Sequence, residues 1–171
     1  MAEGLTIDGL RAAIKKTDVD GGAAEQAERF ELMARRFERA VAILVRQIRT
    51  IVEQIPELET TLEDEVETFT APGFPDHSLD IHDQRLRVTH GEDFLLFDPT
   101  AKALLSAMGQ VEIAASRPVP FMVEKILYLI PDQGGSAAKW GYRSVDNLGG
   151  PLVPFGQQDL LKLLHAVFAG E

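Results

Sequence analysis

The sequence predicts an α+β protein. An N-terminal long-helix arm (a helical hairpin or bundle) should precede an antiparallel sheet of about six strands, with one inserted helix and a C-terminal helix. Three observations carry this expectation. A helical heptad runs from Phe30 to Leu62, the period then changes to strict alternation, and an amphipathic stretch closes the chain. Between the first two, Ala71-Pro72-Gly73-Phe74-Pro75-Asp76 is the clearest break in the sequence. It divides a helical arm, 1–70, from an α+β body, 71–171.

Within the heptad, Phe30, Ala34, Phe37, Val41, Leu44, Ile48, Ile51, Ile55, Leu58 and Leu62 alternate by four and three residues. A two-stranded coiled coil usually carries charge on both flanks of such a seam. Here Ala40, Val45, Gln47, Val52 and Gln54 leave the middle of the flanks apolar or uncharged, so the buried stripe is wide. A helix of about 33 residues spans roughly 50 Å, more than a small domain needs for its own core. The arm is therefore expected to self-associate, through Phe30, Phe37, Val41, Leu44, Ile48, Ile51 and Ile55.

Charge sets the expected orientation. Glu25 to Thr50 carries six arginines against four glutamates, whereas Ile51 to Glu67 carries seven acids and no base. Parallel pairing in register would place acid on acid. Antiparallel pairing places acids beside arginines, so an antiparallel homodimer is the expected form. Pro56 should end or kink the helix near Gln54 and Ile55, and the acidic part beyond should fold back as a second helix. Ahead of the arm, Thr6 to Lys16 reads as a short helix with Ile7, Leu10 and Ile14 on one side. Asp18-Val19-Asp20-Gly21-Gly22 reads as a turn after it. It is no calcium loop, since Gly22 and Arg29 stand where oxygen ligands belong.

In the body, Leu79 and Ile81 alternate with Asp80 and His82, and Leu86 and Val88 with Arg85, Arg87 and Thr89, as in half-buried antiparallel strands. Phe94 to Phe97 is apolar on both faces and should be a central strand. Asp98-Pro99-Thr100 reads as the opening of the inserted helix, Ala101 to Met108, which Gly109 stops. Strands follow around Val111 and Ile113, from Phe121 to Ile130, and from Lys139 to Val145. Phe155 to Phe168 forms the terminal helix, with Leu160, Leu161, Leu164, Val167 and Phe168 inward.

Few residues in the chain point to chemistry. On a strand, Asp80 and His82 share one side, His77 sits just before them, and His90 is expected on the next strand. Together these four are the candidates for a metal site. Polar residues on the wet face of a strand account for the same letters, and the spacing is not diagnostic. Trp140 and Tyr142 share one face of a strand and are the candidate platform for a small ligand or peptide, or else core under the terminal helix. No nucleophile elbow, phosphate-binding loop or dinucleotide turn is present, and no cofactor is expected. With no cysteine, disulfides, thiolate metal sites and a cysteine nucleophile are excluded.

The chain has 171 residues and a net charge of −10, which argues against binding nucleic acid or anionic membrane with the whole surface. No apolar run reaches membrane-spanning length and no signal-peptide pattern opens the chain, so a cytoplasmic protein is expected. The order helix, three strands, helix, two or more strands, helix, with a pI near 4.9, resembles that of small bacterial secretion chaperones. The long arm departs from that pattern, and no motif is shared. The resemblance implies a dimer that presents a sheet or groove to an unfolded partner segment. The expected function is accordingly a non-enzymatic interaction protein, paired through 30–62 and binding a protein partner through its body. The alternative is a small-ligand or metal-binding domain, with or without enzymatic activity, using the Asp80/His82 side or a pocket near Trp140.

Overall fold

A computed structural model describes residues 7–70, 78–100, 109–130 and 139–170, with backbone only for 13–21, 23, 24 and 69. The fold is α+β: the described residues form one long helix, a seven-stranded antiparallel sheet and a short helix after the last strand.

Helix α1 runs without interruption from Ile7 to Val52, 46 residues and about 69 Å at about 1.5 Å per residue. The turn expected over Asp18–Gly22 is corrected to helix. Each glycine costs only about 1 kcal/mol there relative to alanine, and unlike proline neither removes a hydrogen-bond donor. The helix stops at Val52, where the chain tightens into turns (Gln54 N to the Ile51 carbonyl, 3.1 Å; Ile55 N to the Val52 carbonyl, 2.9 Å) just before Pro56.

Beyond Pro56 the expected second helix is corrected to a strand. Strand β1, Glu59–Thr70, pairs over its whole length with β2, Ser78–His90. Thr60, Thr61, Val66, Thr68, Phe69 and Thr70 make this stretch rich in residues that favour extended backbone, and the ladder outweighs the heptad spacing of Leu58 and Leu62. The remaining strands are β3 (Asp93–Thr100), β4 (Gln110–Ala115), β5 (Ile126–Ile130), β6 (Lys139–Tyr142) and β7 (Val153–Pro154). With β1 and β2 they lie side by side in chain order, seven strands among the described residues where about six were expected.

Asp98-Pro99-Thr100 belongs to β3, where a helix opening was expected. Pairing with β2 ends at Phe97, so the missing N–H of Pro99 breaks no bond on that side. The expected inserted helix, 101–108, lies outside the described residues. Between Phe121 and Lys125 the chain bends and touches Ser144 only through a bridge at Met122, so β5 is half as long as expected.

The register aligns one buried face across the sheet: Leu62, Leu86, Val88, Leu95, Phe97, Val111, Ile113, Leu127, Leu129, Trp140 and Tyr142. Helix α1 covers it with Ala34, Phe37, Ala40, Val41, Leu44, Val45, Ile48 and Val52. Helix α2, Gln157–Leu164, continues into a π turn over His165–Ala169 and ends at Gly170, whose φ of 72° suits glycine. Leu160, Leu163, Leu164 and Val167 complete the core.

Candidate functional site

Helix α1 has two faces with different fates. Its inner face is fully used: Phe37, Val41, Leu44 and Ile48 are at most 4% exposed, and Phe30, Ile51 and Ile55 pack partly buried against the same core. Trp140 locks this face in place. Its indole N–H donates to the Ala40 carbonyl (3.3 Å) and its ring meets Phe37 edge-on, centroids 6.3 Å apart. The side chains read as a self-association seam are thus occupied within one chain.

The outer face is different. No described side chain ahead of Ala34 is buried. Ile7, Leu10, Leu32 and Ile43 are 77, 60, 62 and 40% exposed. Their spacing is helical: Ile7 and Ile43 lie 36 residues apart, ten turns at about 3.6 residues per turn, and Leu32 falls about seven turns from Ile7. Val41, about two and a half turns after Leu32, points the opposite way, into the core. Arg36 and Arg39 lie between Leu32 and Ile43 in the sequence.

Where α1 passes β2, a second feature appears. Ahead of Leu86, β2 has no pairing with β3, and its buried side switches from Leu86 and Val88 to Ile81 and Asp83, with no break in the register to β1. Helix side chains complete this uncovered strand edge. Glu38 Oε1 accepts the His82 backbone N–H (2.8 Å), and Arg35 Nη1 donates to the Asp80 carbonyl (3.2 Å) and to Glu38 Oε1 (2.8 Å). Such contacts also blunt an edge that would otherwise pair with another strand.

Between the helix and the β1–β2 ribbon lies a cleft of about 450 Å³, lined by Glu38, Arg39, Val41, Ala42, Asp64, Glu65, His82, Asp83 and Gln84. Asp83 is 3% exposed, the one buried charged residue among those described, and neither carboxyl oxygen has a hydrogen-bond partner. Burial, reinforced by the charges of Glu67, Glu38, Glu65 and Asp98, pushes its carboxyl up to about 7. Arg85, on the same side of β2, directs its guanidinium elsewhere, to Glu65 (2.8 Å) and Asp98 (3.1 Å).

The structure does not bring the described candidates for metal ligation together as a set of three. Asp80 accepts from Thr68 Oγ1 (2.7 Å), and His82 is exposed. His90 lies on the same strand as His82, corrected from the next strand. Eight residues separate them, about 26 Å at about 3.3 Å per residue. His90 Nδ1 instead lies 2.9 Å from the Glu57 carbonyl oxygen, and His77 lies outside the described residues. Among the described residues no three acidic or imidazole groups are placed to share a metal ion.

Trp140 and Tyr142 do share a face, as expected, but that face is the core, and they are 5 and 4% exposed. Tyr142 stacks edge-on with Phe121 (5.6 Å) and Phe155 (6.3 Å) and donates its hydroxyl to Asp159 (2.8 Å), whose other oxygen accepts the Gly156 N–H (2.9 Å). Burial and Asp159 push its phenol up to about 12. The pair joins the sheet to α2 and leaves no open platform.

Two features escaped sequence reasoning. The outer stripe of α1 was hidden because a turn was expected to interrupt it. Asp83 was hidden because it lies two residues from Ile81, in a position the alternation marks as buried, yet reads as an ordinary surface acid. Comparison with known proteins finds no family model that matches the chain, no similar curated protein and no similar solved structure.

Proposed function

We propose that the chain is a non-enzymatic cytoplasmic assembly protein that pairs with a second copy along the outer face of α1. One observation carries this reading: Ile7, Leu10, Leu32 and Ile43 fall on a single side of a continuous helix, away from its core face. A row of large apolar side chains in water gains by being covered, at roughly 25 cal/mol per Å² buried. A helix of this length also offers much more surface than its own sheet covers.

Charge favours the antiparallel arrangement. By sequence, residues 7–31 of α1 hold six acids and four bases, and residues 32–52 hold five arginines and one glutamate. Antiparallel pairing sets the acidic half of one helix beside the arginine half of the other; parallel pairing repeats like charge along the interface. A protein partner seated on the body, as in chaperone-like proteins, belongs to the same reading.

The absence of cysteine allows a direct test of orientation. Leu10→Cys and Ile43→Cys variants, mixed under mild oxidation, should form mainly the mixed disulfide dimer. Predominant Ile43→Cys homodimer would indicate parallel pairing. No cross-linking in any combination would remove the interface.

A further inference from the structure

We propose that the cleft between α1 and the β1–β2 ribbon binds a primary ammonium group on an aliphatic stem, held over Asp83. The observations are geometric and independent of the pairing of α1. Asp83 is 3% exposed and lines the cleft, yet both its carboxyl oxygens lack a hydrogen-bond partner, whereas buried polar groups are rarely left unmatched. Every other acid that acts on it adds negative charge: Glu38 from α1, Glu65 and Glu67 from β1, and Asp98 from β3. The nearest strand cation, Arg85, is held by Glu65 and Asp98. Arg39, which lines the cleft, points its Nε to the Arg35 carbonyl (3.4 Å).

The shape selects among cations. No three acidic or imidazole groups among the described residues are placed for a chelated metal ion. An ammonium imposes no coordination geometry, and its three N–H donors can satisfy Asp83 and a neighbouring carboxylate together. Val41 and Ala42 supply an apolar wall for a methylene stem. At about 450 Å³ the cleft has room for such a stem as well as its charged head. Two sources carry this chemistry, a free alkyl diamine and a lysine side chain, and two probes separate them.

Butane-1,4-diamine and Nα-acetyl-lysine amide are titrated calorimetrically into the full chain at pH 8, against sodium chloride of matched ionic strength. Binding of either probe, weakened at least tenfold by Asp83→Asn, is the expected result. The probe that binds more tightly identifies the source. Because the ammonium and a proton compete for the same carboxyl, affinity should fall severalfold from pH 8 to pH 6. Ala42→Leu narrows the cleft from the helix surface and should abolish binding without changing the circular dichroism spectrum. No binding by either probe, or binding unchanged in both variants, would overturn the proposal.

Discussion

The two faces of α1 are built from the same residue types and differ in what lies opposite. On the inner face Phe37, Val41 and Ile48 meet a sheet whose register presents a continuous apolar surface, and they are essentially unexposed. On the outer face Leu32 and Ile43 remain 62 and 40% exposed. Hydrophobic periodicity therefore marks burial only where a partner surface exists within the chain. In the proposed pairing, the second row on the same helix is the surface that a second copy covers, and its cost in water is what would drive assembly.

The sharpest way to break this comparison is to place one charge on each face. Ile48→Glu puts a carboxylate in the core and should unfold the chain, a loss of more than about 4 kcal/mol, read by thermal denaturation. Phe37→Ala leaves a cavity under Trp140 and should cost about 3–5 kcal/mol in denaturant unfolding. Gly109→Ala approaches the same site from the sheet, because a Cβ there would collide with the Phe37 ring; about 1–3 kcal/mol is expected.

Asp83 gives the inner side a pH signature. Its folded-state carboxyl titrates near 7, against 3.8 as the ordinary value, so the native state holds the extra proton between those limits. Stability should thus be greatest at the acidic end of that window and fall as pH rises from about 4 to about 7, by roughly 4 kcal/mol at most. Asp83→Asn should flatten that slope. A wild-type profile that rises across the window would show that Asp83 is ionised and paired. Tyr142→Phe, which removes only the hydroxyl shared with Asp159, should cost about 1 kcal/mol.

How much of this was legible in the sequence depended on whether the signal was local. The seam from Phe30 to Ile51 is a run of periodic apolar residues, and it is buried along one side as periodicity implies. Strands β2, β3 and β4 follow the alternation at Ile81, Leu86, Val88, Leu95, Phe97, Val111 and Ile113. Strand β1 was not legible, because Leu58 and Leu62 continue the heptad while its extended state depends on a ladder with residues that lie 8 to 30 positions later. The expected turn at Asp18–Gly22 failed for the converse reason: two glycines weaken a helix without ending it. The environment of Asp83 depends on α1, β1 and β3 together, and no short window contains them.

The smallest expected effect on stability belongs to the outer face, and it carries the largest effect on assembly. Leu32→Glu and Ile43→Glu should change stability by no more than about 0.5 kcal/mol, since neither side chain is buried. The central claim is tested most directly by solution mass from light scattering, over a range of concentrations at low and high salt, for the wild type and Ile43→Glu. Twice the chain mass for the wild type and the single-chain mass for the folded variant is the predicted result. A wild type that stays a monomer at every concentration, or a variant of identical mass to it, would contradict the account.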